Sequence, residues 1–128
     1  MEISTKHKTL VAQYIEAYNR KDVDGMLKPL HPSITFENIS GGVRNMKLDG
    51  KKAFEEQAQK AKALFSERNQ KVLSWNQVEG QVIVELEFLG TLLVDLSEDL
   101  KCGDRLNMNG RSTFEFIDDQ ISRIIDES

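Results

Sequence analysis

The side chains of this 128-residue sequence with the best claim to chemistry are two tyrosines, an asparagine and a scatter of carboxylates. Tyr14 and Tyr18 stand four residues apart, the separation of neighbours on one helix face. Each combines a ring that buries area with a hydroxyl that can donate to a bound oxygen. Asn38 alternates with Ile34 and Phe36, so a strand turns its amide toward apolar company. There it needs partners, either backbone groups or a ligand. Glu85 and Glu87 alternate with Val84, Leu86 and Phe88, which predicts exposure or cross-strand pairing rather than catalysis. Arg111 alternates away from Phe114 and Phe116 and is read as exposed or at an interface. His31, between Leu30 and Pro32, is read as a surface or capping residue at a helix end. Two facings stay open: a bulge at Gly90 would reverse Asp95, and Trp75 shares parity with Leu73 while Val72 and Val78 point the other way.

Composition excludes several classes of function. One cysteine, Cys102, and two histidines make neither an internal disulfide nor a Cys/His zinc cluster, so no metal and no cofactor is expected. The formal net charge of -4 argues against nucleic acid as a partner, because neutralising phosphates takes a clustered excess of Lys and Arg. Lys51, Lys52, Lys60, Lys62, Arg68 and Lys71 are interleaved with Glu55, Glu56 and Glu67, the pattern of a solvated helix face. The first eight residues lack the apolar stretch of a secretory signal, and no segment approaches membrane-spanning length. A cytoplasmic protein with no membrane partner is expected. With 39% hydrophobic and 30% charged residues, and no repeat or linker to divide it, the chain reads as one domain over residues 1–128.

The elements that must position these groups follow from periodicity. Leu10, Val11, Tyr14, Ile15 and Tyr18 make one helical stripe with Thr5 as candidate cap. Asp22 can cap a short second helix carrying Met26, Leu27 and Leu30, which Pro32 prevents from continuing. Ile34–Asn38 alternates as a strand, Ser40-Gly41-Gly42 is a turn, and residues 43–48 return as a partner strand. After Asp49-Gly50, a third helix buries Phe54, Ala58, Ala61, Leu64 and Phe65. Strands then run from Val72 to about Val78, from Gln81 after a Glu79-Gly80 turn, from Arg105, and from Gln120. Val82, Val84, Leu86 and Phe88 share one face, and Met108, Ser112, Phe114 and Phe116 another; both should meet the helices. Gly90 and Gly110 are placed where bulges would let the sheet bend.

Helix, short helix, strand, long helix and four-stranded meander is an order that resembles the SnoaL-like branch of the nuclear-transport-factor-2-like superfamily. The local text is similar too: Tyr14-Ile15-Glu16-Ala17-Tyr18-Asn19-Arg20-Lys21-Asp22-Val23-Asp24-Gly25 matches its opening, Ile34–Asn38 its first strand, and Phe114-Glu115-Phe116 with Asp119-Gln120-Ile121 its final hairpin. The resemblance implies an α+β fold, a cone-shaped cystatin-like roll with helices packed on a curved antiparallel, mixed-edge sheet around one small-molecule pocket. Tyr14, Tyr18, Phe36, Asn38, Leu86, Phe88, Met108, Ser112 and Phe114 are expected to line that pocket.

Roles carry over one residue at a time. Similarity to ketosteroid isomerases places their tyrosine donor at Tyr14, their second carboxylic acid at Ser112 and their general-base aspartate at Asn38, an amide that takes no proton from carbon near neutral pH. In limonene epoxide hydrolases a Tyr-x-Asn pair holds a water. Phe36-Glu37-Asn38 keeps only the asparagine, and Glu85 and Glu87 stand where that family has Arg-x-Asp. SnoaL-like polyketide cyclases carry an acid late in the meander, for which Asp126 is the nearest candidate. Three functions follow: a binding protein for an apolar carbonyl- or hydroxyl-bearing molecule; a lyase, cyclase or isomerase acting on a polyketide- or steroid-like substrate with Tyr14, Asn38 and Asp126 as candidates; or an association module. A homodimer through the sheet exterior, where Ile83 and Leu89 face outward, is expected.

Overall fold

The computed structural model of the protein describes residues 5–128. The elements run α1 (Thr5–Asn19), α2 (Val23–Leu27), β1 (Leu30–Ser40), β2 (Val43–Asp49), α3 (Lys51–Lys62), β3 (Phe65–Val78), β4 (Gln81–Leu92), β5 (Arg105–Ile117) and β6 (Gln120–Glu127). The strands form one curved sheet in the order β2-β1-β6-β5-β4-β3. Every neighbouring pair is antiparallel except β1 and β6, which run parallel inside the sheet.

The stripe of α1 explains how that helix docks: Val11, Tyr14 and Ile15 are buried against Val82, Val84, Phe114 and Ile124 of the sheet. Asp22 caps α2, its Oδ1 accepting from the Gly25 amide at 3.0 Å. Phe54 and Ala58 bury the inner face of α3 in the same core. Gly41 and Gly42, with φ of 58° and 81°, make the tight β1–β2 turn. Thr5 is the first described residue of α1, so the capping position before it lies outside the described residues.

Four boundaries and facings differ from the sequence expectation. The third helix ends at Lys62, not at Phe65, and β3 starts at Phe65 instead of Val72. The β3–β4 ladder runs from Val78↔Gln81 back to Phe65↔Leu92, and its tertiary pairing outweighs a helical stripe that Leu64 and Phe65 would have continued. Leu30 belongs to β1 rather than α2, and His31 is therefore a strand residue whose Nδ1 accepts from the Ser33 amide at 3.0 Å. Pro32 falls in the interval between Leu30 and Thr35 where the β1–β6 register shifts, so its missing N–H breaks no regular ladder bond.

The bulges are not at Gly90 and Gly110, since the β4–β5 register is unbroken from Val82↔Phe114 to Thr91↔Arg105. Register shifts fall elsewhere in the sheet, two of them in β3, where Ser66 and Leu73 are the extra residues. Leu73 resets the parity, which puts Val72 and Trp75 together against the core and leaves Leu73 outside. Lys8 Nζ then sits 5.1 Å from the Trp75 ring centroid. The two glycines serve close approach instead. A Cβ at Gly90 would come within 2.8 Å of Phe88 Cζ, and one at Gly110 within 2.9 Å of the Glu127 carbonyl oxygen.

On the face of the sheet opposite Phe36, Glu37 is nearly covered by two arginines: Arg123 Nη2 donates to its Oε2 at 2.6 Å and Arg44 Nη1 to its Oε1 at 2.9 Å. These bonds, Arg123 first, hold the Glu37 carboxyl below its ordinary pKa. Arg111 Nε bonds Glu85 Oε1 across β4 and β5 at 2.8 Å, as the alternation predicts. Among the described residues no helix is long and apolar enough to cross a membrane.

Candidate functional site

β6 lies between β1 and β5, so its residues can reach both neighbours. Asp126 is the register partner of Asn38 on one side and of Ser112 on the other. Ser112 Oγ donates to Asp126 Oδ1 at 2.6 Å. Burial pushes the Asp126 carboxyl up to about 6, against the pull of the Ser112 bond. Asn38 Nδ2 donates to Asn45 Oδ1 at 2.9 Å; Asn45 is the extra residue of a bulge in the β1–β2 ladder, so a side chain rather than the backbone steadies this amide.

Two cavities meet at these groups. One of about 200 Å³ is walled by Tyr14, Met26, Phe36, Met46, Leu48, Phe54, Gln57, Ala58, Ala61 and Arg68. The other, of about 210 Å³, is walled by Phe65, Gln70, Leu86, Phe88, Met108, Ser112 and the ends of β5 and β6. Tyr18, Asn38 and Asp126 line both. A wider surface groove of about 820 Å³ runs past Asn19, Arg20, Lys21, Asn69, Gly90 and Arg105, but Asp126 is not on it. Groove and first cavity have Arg68 in common.

Eight of the nine residues expected at a pocket line one of these cavities. Phe114 does not: it is 1% exposed and packs edge-on against Tyr14 at 5.9 Å, because its position opposite Val82 lies under the middle of α1. Met108 sits at the rim, half exposed. Asp95 is exposed in the β4–β5 loop, where its Oδ1 accepts from the Cys102 amide at 2.8 Å, and it takes no part in the site.

The tyrosine hydroxyls are kept as neutral donors. Burial raises the Tyr14 pKa well above its ordinary value and the charge of Asp126 adds to it; burial also raises Tyr18, with Arg68 opposing. A half-buried acid that can be neutral or ionised near pH 6, beside hydroxyl donors and apolar walls, is equipped to take a proton from carbon or return one to oxygen. Among the described residues there is no cluster of three or more His, Cys, Asp or Glu that could hold a metal ion.

Arg68 departs from the sequence expectation. It is not on a solvated helix face but on β3, opposite Gly90, 5% exposed, with its guanidinium 3.8 Å from the Tyr18 ring centroid. Its Nε donates to the Tyr18 carbonyl at 2.9 Å. The available signal was its i, i+2 spacing from Gln70, which counts only once β3 is known to begin at Phe65.

A family model for the SnoaL-like domain matches residues 11–124. A protein provisionally named a polyketide cyclase from Xanthomonas campestris pv. campestris superposes with a TM-score of 0.82 at 22% identity, covering 96% of this chain and 90% of that one. An uncharacterised cystatin-fold protein from Novosphingobium aromaticivorans gives 0.73 at 17% identity, covering 97% of this chain and 98% of that one. A hypothetical protein of ketosteroid-isomerase-like fold from Catenulispora acidiphila, in complex with trimethylamine, gives 0.73 at 8% identity, covering 91% and 82%. At these identities the likeness is one of fold. No curated protein is a significant sequence match to the chain.

Proposed function

Since the chain belongs to the SnoaL-like domain family, we propose that it is an acid–base enzyme, a lyase, cyclase or isomerase acting on a small enolisable carbonyl compound of polyketide type, with Asp126 moving the proton. The observation that carries this reading is the Asp126 carboxyl held by Ser112 at the wall shared by two cavities, with its pKa brought to about 6. The amide at Asn38 removes the base from the position ketosteroid isomerases use, and Asp126 supplies one on the neighbouring strand. Tyr14 and Tyr18 donate to the oxygen on which charge develops.

Deuterium exchange at the α-carbon of 2-tetralone, a bicyclic enolisable ketone, tests this by NMR. The wild type should accelerate exchange with a rate that rises as pH passes through about 6, and Asp126→Asn should remove on the order of 100-fold or more of that acceleration. Equal rates in the two proteins would overturn the assignment. The apolar walls of the first cavity, Phe36, Phe54, Met26 and Ala58, favour a second reading, binding without chemistry. It predicts retention of 2-tetralone with no exchange in either protein.

We propose further that the protein is a homodimer through the outer face of the sheet. Leu73 and Leu89 stand about half exposed there, and Ile83 lies on the same face. Light scattering at micromolar concentration should give twice the chain mass. A monomer mass would refute the interface.

A further inference from the structure

Arg68 is a cation withdrawn from water without an anion to match it. Its residue is 5% exposed. Among the described residues its contacts are with neutral groups: Nε to the Tyr18 carbonyl at 2.9 Å, Nη2 to the Met26 sulfur at 3.8 Å, and the Tyr18 side chain, whose ring centroid lies 3.8 Å from the guanidinium and whose hydroxyl interacts with it as well. None is a carboxylate. The first satisfies a carbonyl in the last turn of α1, a structural duty that uses one of five N–H donors. Removing a guanidinium from water is costly unless a counter-charge or full hydrogen bonding compensates, and a thioether is a weak acceptor.

The remaining donors are not sealed in protein. The one fully enclosed side-chain nitrogen or oxygen without a partner, among the described residues, is His7 Nδ1. Nη1, for which no hydrogen bond to a protein acceptor is seen, is therefore not fully enclosed, and Arg68 lines both the 200 Å³ cavity and the outer groove. The groove adds Lys21 and Arg105, with Glu67 its single acid, so the approach to Arg68 is positive in a chain whose net charge is -4. A fork of parallel donors fits a carboxylate better than it fits a ketone or an alcohol.

We propose that Arg68 anchors the carboxylate of an acidic, ring-bearing ligand, whose body fills the cavity beneath Tyr14 and Phe54 and whose reacting carbon lies toward Asp126. The inference rests on the reading of this cavity as the substrate site, and it narrows the substrate class to carboxylic acids. A cavity of about 150 Å³ accepts a benzene ring. The 200 Å³ cavity and its 210 Å³ neighbour therefore have room for one or two fused rings.

The test compares 2-naphthoate with its neutral isostere 2-naphthamide by titration calorimetry at pH 5.5, above the pKa of an ordinary carboxyl and on the protonated side of Asp126, which reduces repulsion between the two acids. Wild type should bind the acid roughly tenfold to a hundredfold more tightly than the amide. Arg68→Gln, which retains a neutral donor, should lose that preference. Arg68→Lys should keep part of it, having charge without the fork. Equal affinities for acid and amide in the wild type would overturn the proposal with no variant needed, and so would a preference that survives in Arg68→Gln. Acid preference without any 2-tetralone exchange would leave the anchor standing and remove the catalytic reading. Exchange without acid preference would do the reverse.

Discussion

Replacing Asp126 with asparagine isolates the energetic consequence of burying that carboxyl. Its pKa is raised from 3.8 to about 6, chiefly by desolvation. At about 1.4 kcal/mol for each tenfold change, ionising it in the folded protein costs on the order of 3 kcal/mol more than in the unfolded chain. The sign follows from proton binding. Between pH 4 and 6 the folded state holds the proton more tightly, so stability is greatest below 4, falls as pH rises through 6, and is flat beyond. Asparagine has the same shape and no such titration. Urea unfolding of both proteins from pH 4 to pH 8 should show Asp126→Asn gaining on the wild type by about 2–3 kcal/mol across that window, with most of the change between 4.5 and 6.5. Glu37 and Asp119, whose pKa values are lowered by their cationic partners, lose stability on the acid side in both proteins and cancel from the difference. A difference that stays constant from pH 4 to 8 would refute the desolvation argument, as would an Asp126 carboxyl resonance titrating near 4.

Asn38→Asp places a second carboxyl beside Asp126 across the β1–β6 ladder. The pair should titrate in two steps, the upper one above about 6, and carboxyl NMR that shows two independent groups would contradict this proximity. Glu37→Gln should cost about 1–2 kcal/mol at neutral pH, between the values for exposed and for buried ion pairs, because Arg123 and Arg44 remain partly in water. Because the Glu37 pKa is lowered, its contribution is lost as pH falls below the ordinary carboxylate range, so chemical denaturation should find variant and wild type converging in acid. Gly110→Ala should destabilise by about 1–3 kcal/mol, since the new methyl meets the Glu127 carbonyl oxygen at 2.9 Å. It should also shift the Asp126 titration by moving the end of β6, and an unchanged midpoint in thermal unfolding would show that the strand gives way freely.

Where one face alternates cleanly, the structure was legible in the sequence. Val82, Val84 and Leu86 showed which side of β4 is buried, and Ile34, Phe36 and Asn38 showed which side of β1 meets the cavity. It was not legible where bulges break the alternation. Leu73 shifts Trp75 to the face of Val72, and no residue type in that stretch announces the extra position. Phe65–Gln70 carries one aromatic and five polar residues, so nothing local distinguishes a strand from the end of an amphipathic helix; pairing with the far end of β4 decides it. Arg68 was lost for the same reason. The ion pairs of Glu37 were hidden by distance, Arg123 lying 86 residues away. Asp126 was reachable only because the family resemblance pointed to an acid late in the meander. Its partners on β1 and β5 follow from a strand order that alternation within β6 does not encode.

That strand order also governs when the molecule becomes whole. β2 and β1 can pair as a hairpin early, and β3, β4 and β5 can zip together by two more hairpins, but β6 follows all of them in the chain and lies between the two groups. Until it is inserted there are two separate ribbons with exposed edges, and the closing step joins residues as distant as Leu30 and Ile121. β6 is the seam of the sheet and it carries Asp126, so the carboxyl enters its buried setting in the same event that joins the ribbons.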